Sequence, residues 1–153
     1  MSTLQEGNKA PEFSAKDQNG NTVTLAQFKG KKVVLYFYPK DDTPGCTAEA
    51  CDFRDNYQGL QAKGIEVLGV SVDDEKSHQK FITKHSLPFT LLADTDKENV
   101  EAYCVCGGKN MHGKKYMGTN RATFVIDEEG NIAHIIKKVD TKNSTAQVLE
   151  LLG

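Results

Sequence analysis

The chain has 153 residues, 38% of them hydrophobic and 26% charged. A chain of this length buries about 68–70% of its unfolded surface in one core, so it needs no disulfide or metal staple to fold. Its 19 basic and 21 acidic side chains leave a net charge of −2, without a block of about five like charges or an apolar run near the roughly 18 residues of a membrane helix, which excludes polyanion binding and membrane spanning as readings.

The start, Met1-Ser2-Thr3-Leu4-Gln5-Glu6-Gly7, has no basic n-region and no apolar h-region, so a cytoplasmic location is expected. The four cysteines then read as reactive thiols or ligands rather than as staples. No repeat, low-complexity tract or Pro/Ser-rich linker interrupts the chain, and residues 1–153 read as a single domain. In chain order, Asn19-Gly20-Asn21 between two short alternating stretches predicts an N-terminal β-hairpin over Glu12 to Leu25, an extension ahead of the main sheet. Val33 to Tyr38 is apolar on both parities, as in a central strand covered on both faces, and Pro39 ends it. From Cys46 the pattern turns helical, with Phe53, Tyr57 and Leu60 at three- and four-residue spacing and Gly64 closing the segment.

Ile65 to Val72 predicts a second strand buried on both faces, followed by Asp73-Asp74 as a cap and a helix to about His85. Next come Leu91-Leu92, the turn and cap Asp94-Thr95-Asp96, and a short helix over Lys97 to Tyr103. Gly107 to Asn120 reads as a polar, glycine-rich loop. Thr123 to Ile126 and Ile132 to Val139 flank Asp127-Glu128-Glu129-Gly130-Asn131 as a second hairpin, and a helix over Ser144 to Leu152 closes the chain. Alternating strands and helices with a late antiparallel hairpin imply an α/β fold with a mixed central sheet flanked by helices.

The chemistry concentrates at Pro39-Lys40-Asp41-Asp42-Thr43-Pro44-Gly45-Cys46. Thr43 suits an N-cap and Pro44 the first helical turn, so Cys46 falls where unpaired N–H groups and the positive end of the helix dipole converge. Such a setting favours a nucleophilic thiolate; the alternative is a buried structural cysteine. Cys51 follows on the same helix. Cα atoms five residues apart on a helix are separated by about 8.7 Å and their side chains diverge by about 140°. That exceeds the roughly 7 Å reach of a disulfide, so the two thiols can bond only if the first turns unwind.

Pro39-x-x-x-Thr43-x-x-Cys46 resembles the active-site motif of peroxiredoxins, and Thr43 through Cys51 is similar to the bacterioferritin comigratory protein, or peroxiredoxin Q, subfamily. The likeness continues through Ala10-Pro11-Glu12-Phe13, Gly69-Val70-Ser71, Tyr116-Met117-Gly118 and Arg121 to Asp127. It implies a thioredoxin-like fold and a thiol-dependent peroxidase that reduces hydrogen peroxide and organic hydroperoxides in antioxidant defence. By the same resemblance Cys46 is the peroxidatic nucleophile, Thr43 engages peroxide and thiolate, and Pro39 shields the pocket. Arg121 lies beside the sulfur, with Glu49 as its acidic partner. Cys51 resolves the Cys46 sulfenic acid as a Cys46–Cys51 disulfide, and thioredoxin or a similar dithiol reduces that bond. No cofactor or metal enters the scheme, and the resemblance implies a monomer or weak dimer.

Cys104-Val105-Cys106 departs from the subfamily, which generally carries glycine at the first of these positions. These extra thiols leave two other readings open: a thiol-based peroxide sensor relaying oxidation to a partner, and a metal-binding protein using all four cysteines. A C-x-C pair alone supplies only two of the four ligands of a closed zinc site. His78, His85, His112 and His134 show no ligand spacing and read as solvated side chains.

Overall fold

A computed structural model of the chain describes residues 4–103, 106–111, 114–119 and 121–152, with the backbone alone described over 106–111 and 114–119. The N-terminal hairpin comprises β1 (Ser14–Lys16) and β2 (Thr22–Thr24). It is closed by Asp17, whose Oδ1 accepts the N–H groups of Asn19 at 2.8 Å and Asn21 at 3.0 Å. After a single 3-10 turn over Leu25–Phe28 come β3 (Lys32–Phe37), α1 (Pro44–Ala62), β4 (Ile65–Ser71), α2 (Glu75–His85), β5 (Thr90–Ala93) and α3 (Glu98–Ala102). The chain continues through β6 (Cys106–Met111), β7 (Lys114–Thr119), β8 (Ala122–Ile126) and β9 (Ile132–Ile136) to α4 (Ser144–Leu152).

Seven strands form one sheet in the order β2-β1-β5-β4-β3-β8-β9, and β6 pairs with β7 as a separate antiparallel ribbon. β3, β4 and β5 run parallel, while β8 and β9 extend the sheet antiparallel on one side. The sheet is therefore mixed, as the alternation of elements implies. The N-terminal hairpin is more than an extension, because Lys16 pairs with Ala93 and makes β1 and β2 one edge of the main sheet. The glycine-rich stretch expected to be a loop forms β6 and β7, with Gly107 opposite Gly118. Glycine is depleted in strands, so composition argued against strands there.

Both faces of β3 are buried, and successive side chains on a strand point to opposite faces. Val33, Leu35 and Phe37 enter one apolar cluster with Phe13, Val70 and Phe124. Val34, Tyr36 and Tyr38 enter the other, with Phe53 of α1, Phe81 of α2 and Val148 of α4. That second face carries Cys46. Gly69, opposite Tyr36 on β4, is where the ring needs room, since a Cβ there would lie 2.9 Å from the Tyr36 hydroxyl oxygen and 2.7 Å from Leu91 Cδ2.

The start of α2 follows its predicted cap, and at α3 the N-cap position falls on Lys97 while Asp94 bonds the first turn from outside. Asp74 Oδ1 accepts the Ser77 N–H at 2.8 Å, and the Asp94 carboxylate accepts those of Asn99 and Val100 at the start of α3. His78 departs from its expected solvated state. It lies on the inward face of α2 with Phe81, fully buried. His112 lies outside the described residues. Among the described residues no helix is long and apolar enough to cross a membrane.

Candidate active site

Helix α1 starts where the sequence places it. Thr43 is the N-cap, with extended backbone at φ −92° and ψ 157°, and Pro44 occupies the first helical position. The Thr43 carbonyl accepts the Thr47 N–H at 2.8 Å. The hydroxyl does not cap the helix; Oγ1 donates instead to the Lys40 carbonyl at 2.9 Å. Cys46 is the third helical residue, so its N–H and that of Gly45 have no acceptor within the helix. Its side chain is 1% exposed.

Arg121 immediately precedes β8, and β8 runs antiparallel to β3 with Ala122 opposite Phe37. This pairing carries Arg121 to the end of β3 from which the chain leaves for α1. Its Nη2 donates to Cys46 Sγ at 3.2 Å and its Nη1 to Glu49 Oε1 at 2.9 Å. Gly45 leaves room for the approach, since a Cβ there would stand 3.1 Å from Nη2, a tight contact that the guanidinium would have to relieve by a small shift. Glu49 follows Cys46 by three residues on the same helix face and is fully buried.

One guanidinium thus spans a sulfur and a carboxyl group. Burial opposes the charge of Arg121, but its hydrogen bond to Cys46 and the negative charge of Cys46 and Glu49 prevail and raise its pKa. Burial dominates at Glu49 and pushes its carboxyl up to about 7, despite the charge and hydrogen bond of Arg121 and the contact with Ser144. Hydrogen counting agrees. Ser144 Oγ lies 2.9 Å from the Asp140 carbonyl, which can only accept, and 3.2 Å from Glu49 Oε2. A hydroxyl has one hydrogen to give, so a proton on Glu49 Oε2 satisfies both contacts.

This carboxyl sets a pH dependence of stability. The unfolded chain loses the Glu49 proton near the ordinary value of 4.5, whereas the folded chain holds it to about 7. Between those values the unfolded state binds fewer protons, so stability falls as pH rises, by at most about 1.4 kcal/mol per pH unit. Glu49→Gln is expected to flatten that slope in urea unfolding at pH 5 and pH 7.5. An unchanged slope in the variant would assign the effect to another group.

Of the six residues singled out in the sequence, Cys46, Glu49 and Arg121 meet directly, and Thr43 occupies the N-cap position of the helix that carries the first two. Pro39 is exposed beyond β3. Cys51 lies further along the unbroken α1, half-buried, and both Cys46 and Cys51 are free thiols. Cys104 lies outside the described residues, and Cys106 is placed only by its backbone on β6. Among the described residues no three His, Cys, Asp or Glu side chains gather to hold a metal ion. Sequence reasoning missed Ser144 against Glu49, and Thr145, whose N–H donates to Asp52 Oδ2 at 2.7 Å. These bonds fasten the start of α4 to α1.

A sulfur at a helix N-terminus, held by a permanently protonated donor beside a buried carboxyl, suits attack on an electrophile whose leaving group gathers negative charge. The AhpC/TSA family model matches residues 7–135. The Bacillus subtilis protein named Peroxiredoxin Bcp is 47% identical over 150 residues, covering 98% of this chain and 96% of that protein. A cysteine-to-serine mutant of Xylella fastidiosa PrxQ superposes with a TM-score of 0.91 at 29% identity, over 99% of this chain and 97% of that one. The Xanthomonas campestris bacterioferritin comigratory protein, described for its alkyl peroxide reduction activity, superposes with a TM-score of 0.87 at 35% identity, over 92% and 90% of the two chains. The fold is thioredoxin-like, as in those structures.

Proposed function

The chain belongs to the AhpC/TSA family as a peroxiredoxin, a thiol peroxidase with an antioxidant role, and from that premise we propose that its chemistry runs from Cys46 to Cys51 within one domain spanning residues 1–153. The observation that carries this reading is the 3.2 Å contact from Arg121 to Cys46 Sγ at the N-terminus of α1. The Cys46 thiolate attacks the terminal oxygen of a hydroperoxide, forming S–O as O–O breaks. Sulfur is oxidised to the sulfenic acid, and the departing oxygen takes a proton and leaves as water or alcohol. The Thr43 hydrogen is committed to Lys40, so the hydroxyl offers the incoming O–H group an acceptor lone pair. Arg121 and the free N–H groups of the first helical turn hold the negative charge as it moves from sulfur to oxygen.

The first turns of α1 then unwind, the Cys51 sulfur attacks the sulfenic sulfur, and water leaves as the Cys46–Cys51 disulfide forms. An external dithiol, thioredoxin or a similar protein, restores the two thiols by exchange. Hydrogen peroxide and organic hydroperoxides are the substrates; the alkyl peroxide activity named for the Xanthomonas campestris protein supports the second class. The protein works in the cytoplasm as a monomer or weak dimer, with no nucleic-acid or membrane partner.

The test is intact mass and peptide mapping after one equivalent of hydrogen peroxide, with thiols blocked at quenching. A two-hydrogen loss mapping to Cys46–Cys51 is expected. Cys51→Ser should leave the first turnover at the wild-type rate and lower steady-state turnover with thioredoxin at least about tenfold, because the sulfenic acid loses its intramolecular partner. Unchanged steady-state turnover would move the resolving role to Cys104 or Cys106.

A further inference from the structure

Past the buried Tyr38, the segment leading from β3 to α1 is held by the inward-facing side chain of Asp41. Pro39, Lys40 and Asp42 are exposed, whereas Asp41 between them is 7% exposed. Its carboxylate accepts three side-chain hydrogen bonds. Tyr38 Oη donates to Oδ1 at 2.6 Å, Ser77 Oγ donates to Oδ2 at 2.7 Å, and His78 Nδ1 lies 2.7 Å from the same Oδ2. The Asp41 N–H donates to Asp73 Oδ2 at 2.8 Å. Outside this knot, Asp42 adopts a left-handed backbone, with φ 59°, and its carboxylate meets Lys84 Nζ at 2.8 Å and His85 Nε2 at 3.2 Å.

His78 is the anchor on the α2 side. Its Nε2 lies 2.9 Å from the Leu92 carbonyl on β5, which only accepts, so Nε2 carries a hydrogen. The ring is therefore fixed between the sheet and Asp41, with a second hydrogen shared across the Nδ1 to Oδ2 contact. A continuous chain of bonds then runs toward the reacting atoms: the Leu92 carbonyl, His78, Asp41, the neighbouring Lys40 carbonyl and the Thr43 hydroxyl that donates to it. A polar group buried this deeply costs stability unless it is fully bonded, and here the bonds made to Asp41 hold the segment that leads to Thr43.

Building on the peroxidase reading above, we propose that His78 is a positioning residue for peroxide reduction: through Asp41 it sets the place of the Lys40 carbonyl and so of the Thr43 hydroxyl at the N-cap of the helix that carries Cys46. Small displacements of a substrate-orienting group slow a reaction without removing the nucleophile. The function of His78 thus lies in its Nδ1 contact with Asp41, and its Nε2 contact serves to hold the ring.

Two substitutions separate these contacts. His78→Asn keeps a donor at the position of Nδ1 and loses the reach to Leu92, whereas His78→Gln keeps a donor at the position of Nε2 and loses Asp41. Each removes one hydrogen bond, so a merely structural histidine predicts similar losses in the two variants. Single-turnover oxidation of Cys46 by hydrogen peroxide, read by quenching and mass analysis, is expected to slow about tenfold in His78→Gln and less than about threefold in His78→Asn. Alkylation of Cys46 by iodoacetamide, which does not use the Thr43 hydroxyl, should stay within about twofold of wild type in both.

Equal slowing in both variants, or peroxide oxidation at the wild-type rate in His78→Gln, overturns the proposal. Slowing of peroxide oxidation and alkylation together overturns it too. Should either variant fail to fold, Ser77→Ala removes a half-buried donor to the same Asp41 oxygen; about threefold slower oxidation with unchanged alkylation supports the proposal, and an unchanged oxidation rate overturns it. Wild-type protein that leaves Cys46 unoxidised would defeat the peroxidase reading itself, a separate outcome.

Discussion

Cys46→Ser is expected to abolish peroxide consumption, lowering the rate more than about a thousandfold, as loss of a nucleophile does in enzymes whose groups act together. The substitution is nearly isosteric, so the buried site keeps its shape and Arg121 keeps Glu49 as a partner at 2.9 Å. What disappears is the attacking atom. A serine hydroxyl stays protonated at neutral pH, and nothing described beside Cys46 serves as a general base to activate it, since Arg121 only donates and Glu49 holds its own proton to about 7. Loss of hydrogen peroxide, followed with thioredoxin and its reductase in excess, measures the effect. Turnover above about one per cent of wild type would move the chemistry to another thiol and leave the contact between Arg121 and the sulfur without a function.

What the sequence reveals follows from the range of the interactions involved. The apolar runs of β3 and β4 carry their own signature, because strands covered on both faces must be apolar on both parities. The start of α1 is equally local, set by Thr43 and Pro44 within a few residues of Cys46. The ribbon of β6 and β7 is hidden by its glycines, and the place of the N-terminal hairpin in the sheet hangs on one pairing, Lys16 with Ala93.

The polar contacts of the site cross far greater distances along the chain. Arg121 reaches Glu49 over 72 residues and Ser144 reaches it over 95. His78 reads as solvated because the histidines show no ligand spacing, yet it stands three residues before Phe81 on the inward face of α2 and lies buried against Asp41 and the Leu92 carbonyl. Arg121 and Glu49 could be named from the sequence only through the family motif. Ser144 and His78 have no such signal, because their partners come from strand pairing and helix packing that composition does not encode.

Arg121→Met should slow oxidation of Cys46 about a hundredfold, the scale of removing one preorganised donor from a developing negative charge, or about 2.7 kcal/mol. Methionine replaces the aliphatic stem and removes both N–H bonds, to Sγ and to Oε1. Ordinarily, stripping the partner from a buried carboxylate would unfold a small domain. Here Glu49 already holds its proton to about 7, and the guanidinium is the main influence that lowers it. Without Arg121 the carboxyl stays neutral further into the alkaline range, so no bare charge is buried near neutral pH and the variant folds.

The cost emerges on the alkaline side. In the unfolded chain Glu49 ionises near 4.5, while in the folded variant it does so only above the wild-type value of about 7. The pH range over which the unfolded state binds fewer protons is therefore wider, and stability keeps falling as pH rises through it. Urea midpoints at pH 6 and pH 9 should diverge more in Arg121→Met than in wild type, alongside the hundredfold slower single-turnover oxidation. A rate within about threefold of wild type would show that the helix N-terminus and Thr43 suffice to activate the thiol, and that the guanidinium serves only to hold Glu49 in place.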